Sequence, residues 1–142
     1  AYTGFNFRMD EIQAAALRVK LPHLDRDNQN RAVLAARYLE QIRHPDLLLP
    51  GPEYRPFHHT WHLFTVLTKK RDSLRAFLAE QGIETALHYP RPPHRQPAFA
   101  SLLQGYRLPV TEKIHQQTLS LPLHPALSAE QQEYIIDRIN RW

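Results

Sequence analysis

Prolines set the frame within which this chain can fold. Twelve of its 142 residues are proline. Each lacks a backbone donor and has a fixed φ, so neither a helix interior nor a central strand runs through it undisturbed. Pro22 ends or kinks one helix, and His44-Pro45-Asp46 stops another. Pro50, Gly51, Pro52 and Pro56 mark a connecting loop, and Pro90, Pro92, Pro93 and Pro97 hold a second stretch extended and stiff.

Regular structure has to fit between these breaks. Met9, Ile12, Ala16 and Val19 recur at three- and four-residue steps, which predicts a helix over 9–21 with Asp10 and Glu11 at its positive end. A second helical pattern runs to about residue 42, with Leu24, Val33, Leu34, Tyr38, Leu39 and Ile42 as its apolar members. Both helices are one-faced and need a partner surface. Residues 60–68 are β-branched and aromatic, and their lack of polar alternation predicts a strand buried on both faces. A helix over 71–81 carries Leu74, Phe77 and Leu78 on one side, with Gly82 as its C-terminal stop. Residues 83–89 read as a second short strand, 98–103 as a helical turn, 110–117 as a helix and 119–123 as a short strand or extended link. Ser128-Ala129-Glu130-Gln131 has the capping-box form, and Tyr134, Ile135, Ile136 and Ile139 are expected to face inward on the last helix. Strands separated by helices indicate an α/β (α+β) arrangement, a small sheet covered by helices.

Composition narrows the function classes. A hydrophobic fraction of 42% and a charged fraction of 23% are those of an ordinary globular domain. The net charge of +4 and pI near 9.6 invite a nucleic-acid reading. However, the basic residues are mixed with acids, as in Asp25-Arg26-Asp27, and no run of five like charges makes a polyanion-binding face. A modest positive field equally suits a phosphorylated small molecule. No cysteine is present, which excludes disulfides and thiolate metal sites and fits a reducing, cytoplasmic setting. No apolar run approaches the roughly 20 residues of a membrane helix. Ala1-Tyr2-Thr3-Gly4 has neither an initiator Met nor a signal pattern, and reads as the interior of a longer polypeptide.

Three stretches are candidates for chemistry. Gly4-Phe5-Asn6-Phe7-Arg8-Met9 is a short polar loop running into a helix. The unpaired N–H groups there, the Asn6 amide and the Arg8 fork suit anion capture, against the plainer reading of a turn with a surface arginine. Among the nine histidines the densest group is His58-His59-x-x-His62. On an extended chain His58 and His62 stand about 13 Å apart, four steps of roughly 3.3 Å, too far to share a zinc. No metal site is expected. In His88-Tyr89-Pro90-Arg91-Pro92-Pro93-His94 a strand end is expected to deliver His88 and Tyr89 to opposite faces, with the prolines fixing where His94 emerges. These groups could stack on a base or hydrogen-bond a sugar; the alternative is a Pro-rich surface turn with a core tyrosine.

Taken in order, Gly4-x-Asn6-x-Arg8-Met9, Ala14-Ala15, Arg31…Ala35…Tyr38, Trp61-His62-Leu63-Phe64, Arg71…Leu78, Gly82-Ile83, His88-Tyr89-Pro90…His94 and Leu119-Ser120-Leu121-Pro122-Leu123-His124-Pro125 span nearly the whole chain. Together they resemble the C-terminal part of a DegT/DnrJ/StrS-type aminotransferase, the pyridoxal-phosphate enzymes that aminate keto sugars on nucleotide carriers. The stretch between Ala100 and Leu108 is a little shorter than usual for that family.

The resemblance implies the small C-terminal domain of a fold-type-I transaminase over 46–142, preceded over 1–45 by a cofactor and dimer loop and by long interdomain helices. It places the Schiff-base lysine in an N-terminal domain outside this sequence, since none of Lys20, Lys69, Lys70 or Lys113 stands in the family's lysine context. No catalytic residue is therefore expected within the chain. The resemblance makes Asn6 a contact to the cofactor phosphate across a homodimer, and has Arg8 support the loop or approach the substrate. It sets His88, Tyr89 and, foremost, His94 near a nucleotide-linked keto sugar, with glutamate the typical amino donor. Nucleic acid and membrane are not expected partners. The rivals are a member acting on a non-sugar keto substrate, and a binding or regulatory module without catalysis.

Overall fold

The computed structural model describes residues 9–51, 59–103 and 105–142. Asn6, Arg8 and His58 lie outside the described residues. Eight elements follow in order: α1 (Glu11–Lys20), α2 (Leu24–Gln41), β1 (Phe64–Leu67), α3 (Arg71–Glu80), α4 (Ala100–Leu103), α5 (Pro109–Gln117), β2 (Thr118–Leu121) and α6 (Ala129–Arg141).

Local chemistry explains most of these bounds. Asp10 caps α1, its Oδ1 accepting from the Ile12 N–H at 2.9 Å, and Glu11 sits at the positive end of the helix. Pro22 falls in a 3₁₀ turn, Leu21–His23, that joins α1 to α2. Gly82 takes φ +73°, the left-handed conformation that stops α3 and lets Ile83 N–H reach Leu78 O at 2.8 Å. At α6 both halves of the capping box form: Gln131 N–H to Ser128 Oγ at 3.1 Å and Ser128 N–H to Gln131 Oε1 at 3.0 Å.

β1 and β2 pair antiparallel, with Phe64 opposite Leu121 and Val66 opposite Leu119. Single bridges widen the ribbon on both edges, Leu48 to Leu67 and Ala86 to Ser120. Two expected strands are thus shorter than the sequence pattern suggests. The run over 60–68 becomes a strand only at Phe64, because Trp61 takes φ +51° and turns the chain away from the extended path. The stretch 83–89 contributes only the bridge at Ala86. Burial is also redistributed. β2 is buried at every position, whereas β1 alternates buried Phe64 and Val66 with half-buried Thr65 and Leu67. The reason is position: β2 lies between β1 and the Ala86 bridge, with α3 packed against it.

The core gathers Tyr38, Phe64, Leu74, Leu78, Leu119 and Ile139, each fully buried. Tyr38 packs its ring 4.9 Å from that of Phe64 and donates its hydroxyl to Pro122 O at 2.8 Å, and burial pushes its pKa up. Polar contacts join α6 to α2. Gln132, itself buried, donates to Leu34 O at 2.6 Å, and Asn140 donates to Gln41 O at 2.8 Å while accepting from Arg43 N–H at 2.8 Å. Tyr134 does not face inward as expected: it is 43% exposed and reaches Gln81 O at 3.2 Å. Its hydroxyl needs a partner, which the end of α3 supplies and the apolar core does not. Leu24 and Val33 are likewise exposed, and α1 buries no residue at all. Among the described residues no helix is long and apolar enough to cross a membrane.

Candidate functional site

The loop after the Ala86 bridge starts from the sheet. Ser120 N–H donates to Ala86 O at 2.9 Å, and two residues later the Ser120 hydroxyl meets His88 Nδ1 at 2.8 Å. The His88–Tyr89 peptide bond is cis. The two rings stand edge to face with centroids 5.6 Å apart, so they share one rim rather than pointing to opposite faces. The expected alternation fails because the chain leaves the ladder at Ala86. Tyr89 is 64% exposed. Its carbonyl, though, is held at 2.6 Å by His115 Nδ1 on α5, which must carry a proton to meet a carbonyl oxygen.

At the loop's other end Pro93–Arg95 forms a 3₁₀ turn, and His94 is buried within it. His94 Nε2 meets Glu112 Oε1 at 2.8 Å. A carboxylate acceptor puts the proton on Nε2, which leaves Nδ1 buried without a partner among the described residues. The same Glu112 oxygen accepts from Arg95 Nη2 at 3.2 Å and from Leu108 N–H at 3.3 Å. Glu112 lies in the first turn of α5. The His94 bond above all, then the Leu108 amide and Arg95, hold its carboxyl well below the ordinary range, at about 2. Beside the turn lies a cavity of about 370 Å³, bounded by His94, Arg95, Ala100, Ser101, Leu103 and Gly105.

The structure therefore brings His88 and Tyr89 together at one rim and holds His94 at the other end of the loop, each in a different state. His88 is half-buried and tied to the sheet, Tyr89 presents its ring to solvent, and His94 is buried on a carboxylate. An imidazole beside an exposed phenol ring can stack on a flat group or hydrogen-bond hydroxyls. Asn6 and Arg8 lie outside the described residues. Sequence reasoning missed Glu112, His115 and Ser120. The first two stand three residues apart on one helix and so share a face, which is legible from spacing; that this face meets the proline loop is not.

The resemblance implies pyridoxal phosphate, which needs a lysine amine that is desolvated or set beside another cation. Lys20, Lys69, Lys70 and Lys113 are all exposed, and Lys70 is paired with Asp46 at 2.7 Å. The described residues do not by themselves fit that cofactor.

The dTDP-3-amino-3,6-dideoxy-alpha-D-galactopyranose transaminase of Aneurinibacillus thermoaerophilus is 44% identical over 141 residues, covering 99% of this chain and 38% of that protein. The pleiotropic regulatory protein of Geobacillus stearothermophilus is 46% identical over 141 residues, covering 96% of this chain and 37% of that protein. Among solved structures, Streptomyces venezuelae DesV superposes with a TM-score of 0.92 at 43% identity, covering 99% of this chain and 38% of that one. A Bacillus subtilis relative solved with the cofactor PMP bound superposes with a TM-score of 0.84 at 30% identity, covering 97% of this chain and 33% of that one. The chain thus spans less than two fifths of the length of these relatives, and corresponds to their C-terminal part. Residues 1–140 match the DegT/DnrJ/EryC1/StrS aminotransferase family, and the chain belongs to that family.

Proposed function

We propose that this chain is the substrate-side portion of a pyridoxal-phosphate aminotransferase that moves an amino group, from glutamate, to a keto sugar on a nucleotide carrier. The observation that carries this reading is the match, over 99% of the chain, to a protein named as a dTDP-amino-sugar transaminase. Pyridoxal phosphate, when bound, supplies the electron sink that amino transfer requires. This chain's own residues bind and orient. His88 and Tyr89 contact the nucleotide-linked sugar from the rim of the loop, and His94, held by Glu112, lies near it at the loop's other end. Asn6 contacts the cofactor phosphate across a homodimer, with Arg8 supporting the loop or approaching the substrate. An assembly larger than this chain is supported by α1, whose Ile12 and Val19 are 80% and 70% exposed.

The test uses the full-length protein carrying this sequence, incubated with pyridoxal phosphate, glutamate and a dTDP-linked keto sugar. Mass spectrometry should find the aminated sugar nucleotide. Amination of non-sugar keto compounds alone would replace the sugar in this reading. The name of the Geobacillus relative favours a second reading, a regulatory module. Sugar-nucleotide binding with no turnover in the full-length protein would support that one instead.

A further inference from the structure

The prolines that stiffen the loop also deprive it of backbone donors. Pro90, Pro92 and Pro93 have no N–H, so the segment between the Ala86 bridge and the 3₁₀ turn cannot be held by a backbone ladder. What holds it are side chains, and two of these come from α5. His115 Nδ1 grips Tyr89 O at 2.6 Å, and Glu112 Oε1 grips His94 Nε2 at 2.8 Å and Arg95 Nη2 at 3.2 Å. The two residues are three apart on one helix and so hold the two ends of the loop from one face.

The helix that does the gripping is itself fixed. Arg71 Nη1 donates to His115 O at 2.9 Å, and Thr68 N–H donates to Gln117 O at 3.0 Å. α5 then runs directly into β2, whose Ser120 holds the His88 ring at 2.8 Å. The His88–Tyr89 pair is thus held at its imidazole and at its backbone by two residues of one continuous helix–strand segment.

We infer that Glu112 and His115 are positioning residues for recognition of the nucleotide-linked sugar, acting through the loop that carries His88, Tyr89 and His94. The inference rests on the proposed function for its ligand but on the contacts above for its geometry. Neither residue need touch the sugar. Their effect is to keep the rim formed before ligand arrives, so that binding does not have to order it.

The experiment compares His115→Ala, His115→Asn and Glu112→Ala in the full-length protein, with two readouts. The first is amide hydrogen exchange. Exchange at Tyr89, Arg91 and Arg95 should quicken about tenfold in both alanine variants, as expected for losing one or two hydrogen bonds, with β1 and α6 unchanged. The second is kinetic. KM for the dTDP-linked keto sugar should rise about tenfold while the glutamate half-reaction is unaltered. Asparagine at 115 offers a donor where Nδ1 stood and should restore both towards wild type. Unchanged loop exchange overturns the inference. So does exchange that quickens throughout the fold with both half-reactions falling together, since that marks a merely structural role, and so does altered loop exchange with an unaltered sugar KM. If the wild-type protein takes no nucleotide sugar, the proposed function fails, and the exchange data alone still decide whether α5 grips the loop.

Discussion

α1 and α6 have the same kind of sequence and opposite fates. Both are amphipathic helices with a side-chain cap at the N-terminus, of 10 and 13 residues. α6 buries Gln132, Ile135, Ile136 and Ile139, whereas α1 buries nothing. A stripe of apolar residues states that a helix has a face to hide. It does not state where the cover comes from. For α6 the cover is α2, to which Gln132 and Asn140 bond, and the shared hydrophobic core. For α1 no described residue of this chain provides it, and Met9, Leu17, Leu21 and Leu24 line an open apolar groove of about 520 Å³.

The contrast can be broken by measuring stability in the 142-residue chain. Ile139→Ala removes a fully buried side chain from α6 and should cost about 2–5 kcal/mol in urea unfolding. Tyr38→Phe leaves Pro122 O without its donor and should cost about 1–3 kcal/mol. Ser128→Ala removes the α6 cap and should cost about 1 kcal/mol. Glu112 adds a smaller, pH-dependent contribution because its side chain is 30% exposed. Its folded pKa of about 2 lies below the ordinary 4.5, so this stability is present above pH 4.5 and is lost as pH falls towards 2. Urea midpoints across that window should slope for wild type, and less so for Glu112→Gln. Val19→Ala on α1 should change stability by no more than about 0.5 kcal/mol. A loss at Val19 as large as that at Ile139 would end the distinction between the two helices.

The fold was legible wherever the signal was local. Prolines, Gly82 and the Ser128 capping box mark element ends through their own backbone chemistry, and the structure keeps them. It was less legible where a distant partner decides. The strand at 60–68 is cut short by Trp61, whose left-handed φ no periodicity announces, and 83–89 keeps a single bridge because it lies at the sheet's edge. Tyr134 looked apolar in the stripe, yet its hydroxyl is drawn to Gln81 O. The candidate site divides in the same way. His88, Tyr89 and His94 stand out as unusual residues in a proline loop. Glu112, His115 and Ser120 do not, because they are ordinary residues until the chain brings them within 3 Å of that loop.

The measurement that bears most directly on the account is a crystal structure of the full-length protein with pyridoxal phosphate and a dTDP-linked sugar bound. The account predicts His88 and Tyr89 within hydrogen-bonding distance of the sugar nucleotide, and the Asn6 amide on a cofactor phosphate held by a neighbouring subunit. A sugar bound away from the 88–95 loop, or Asn6 enclosed within a single subunit and far from any phosphate, would contradict it.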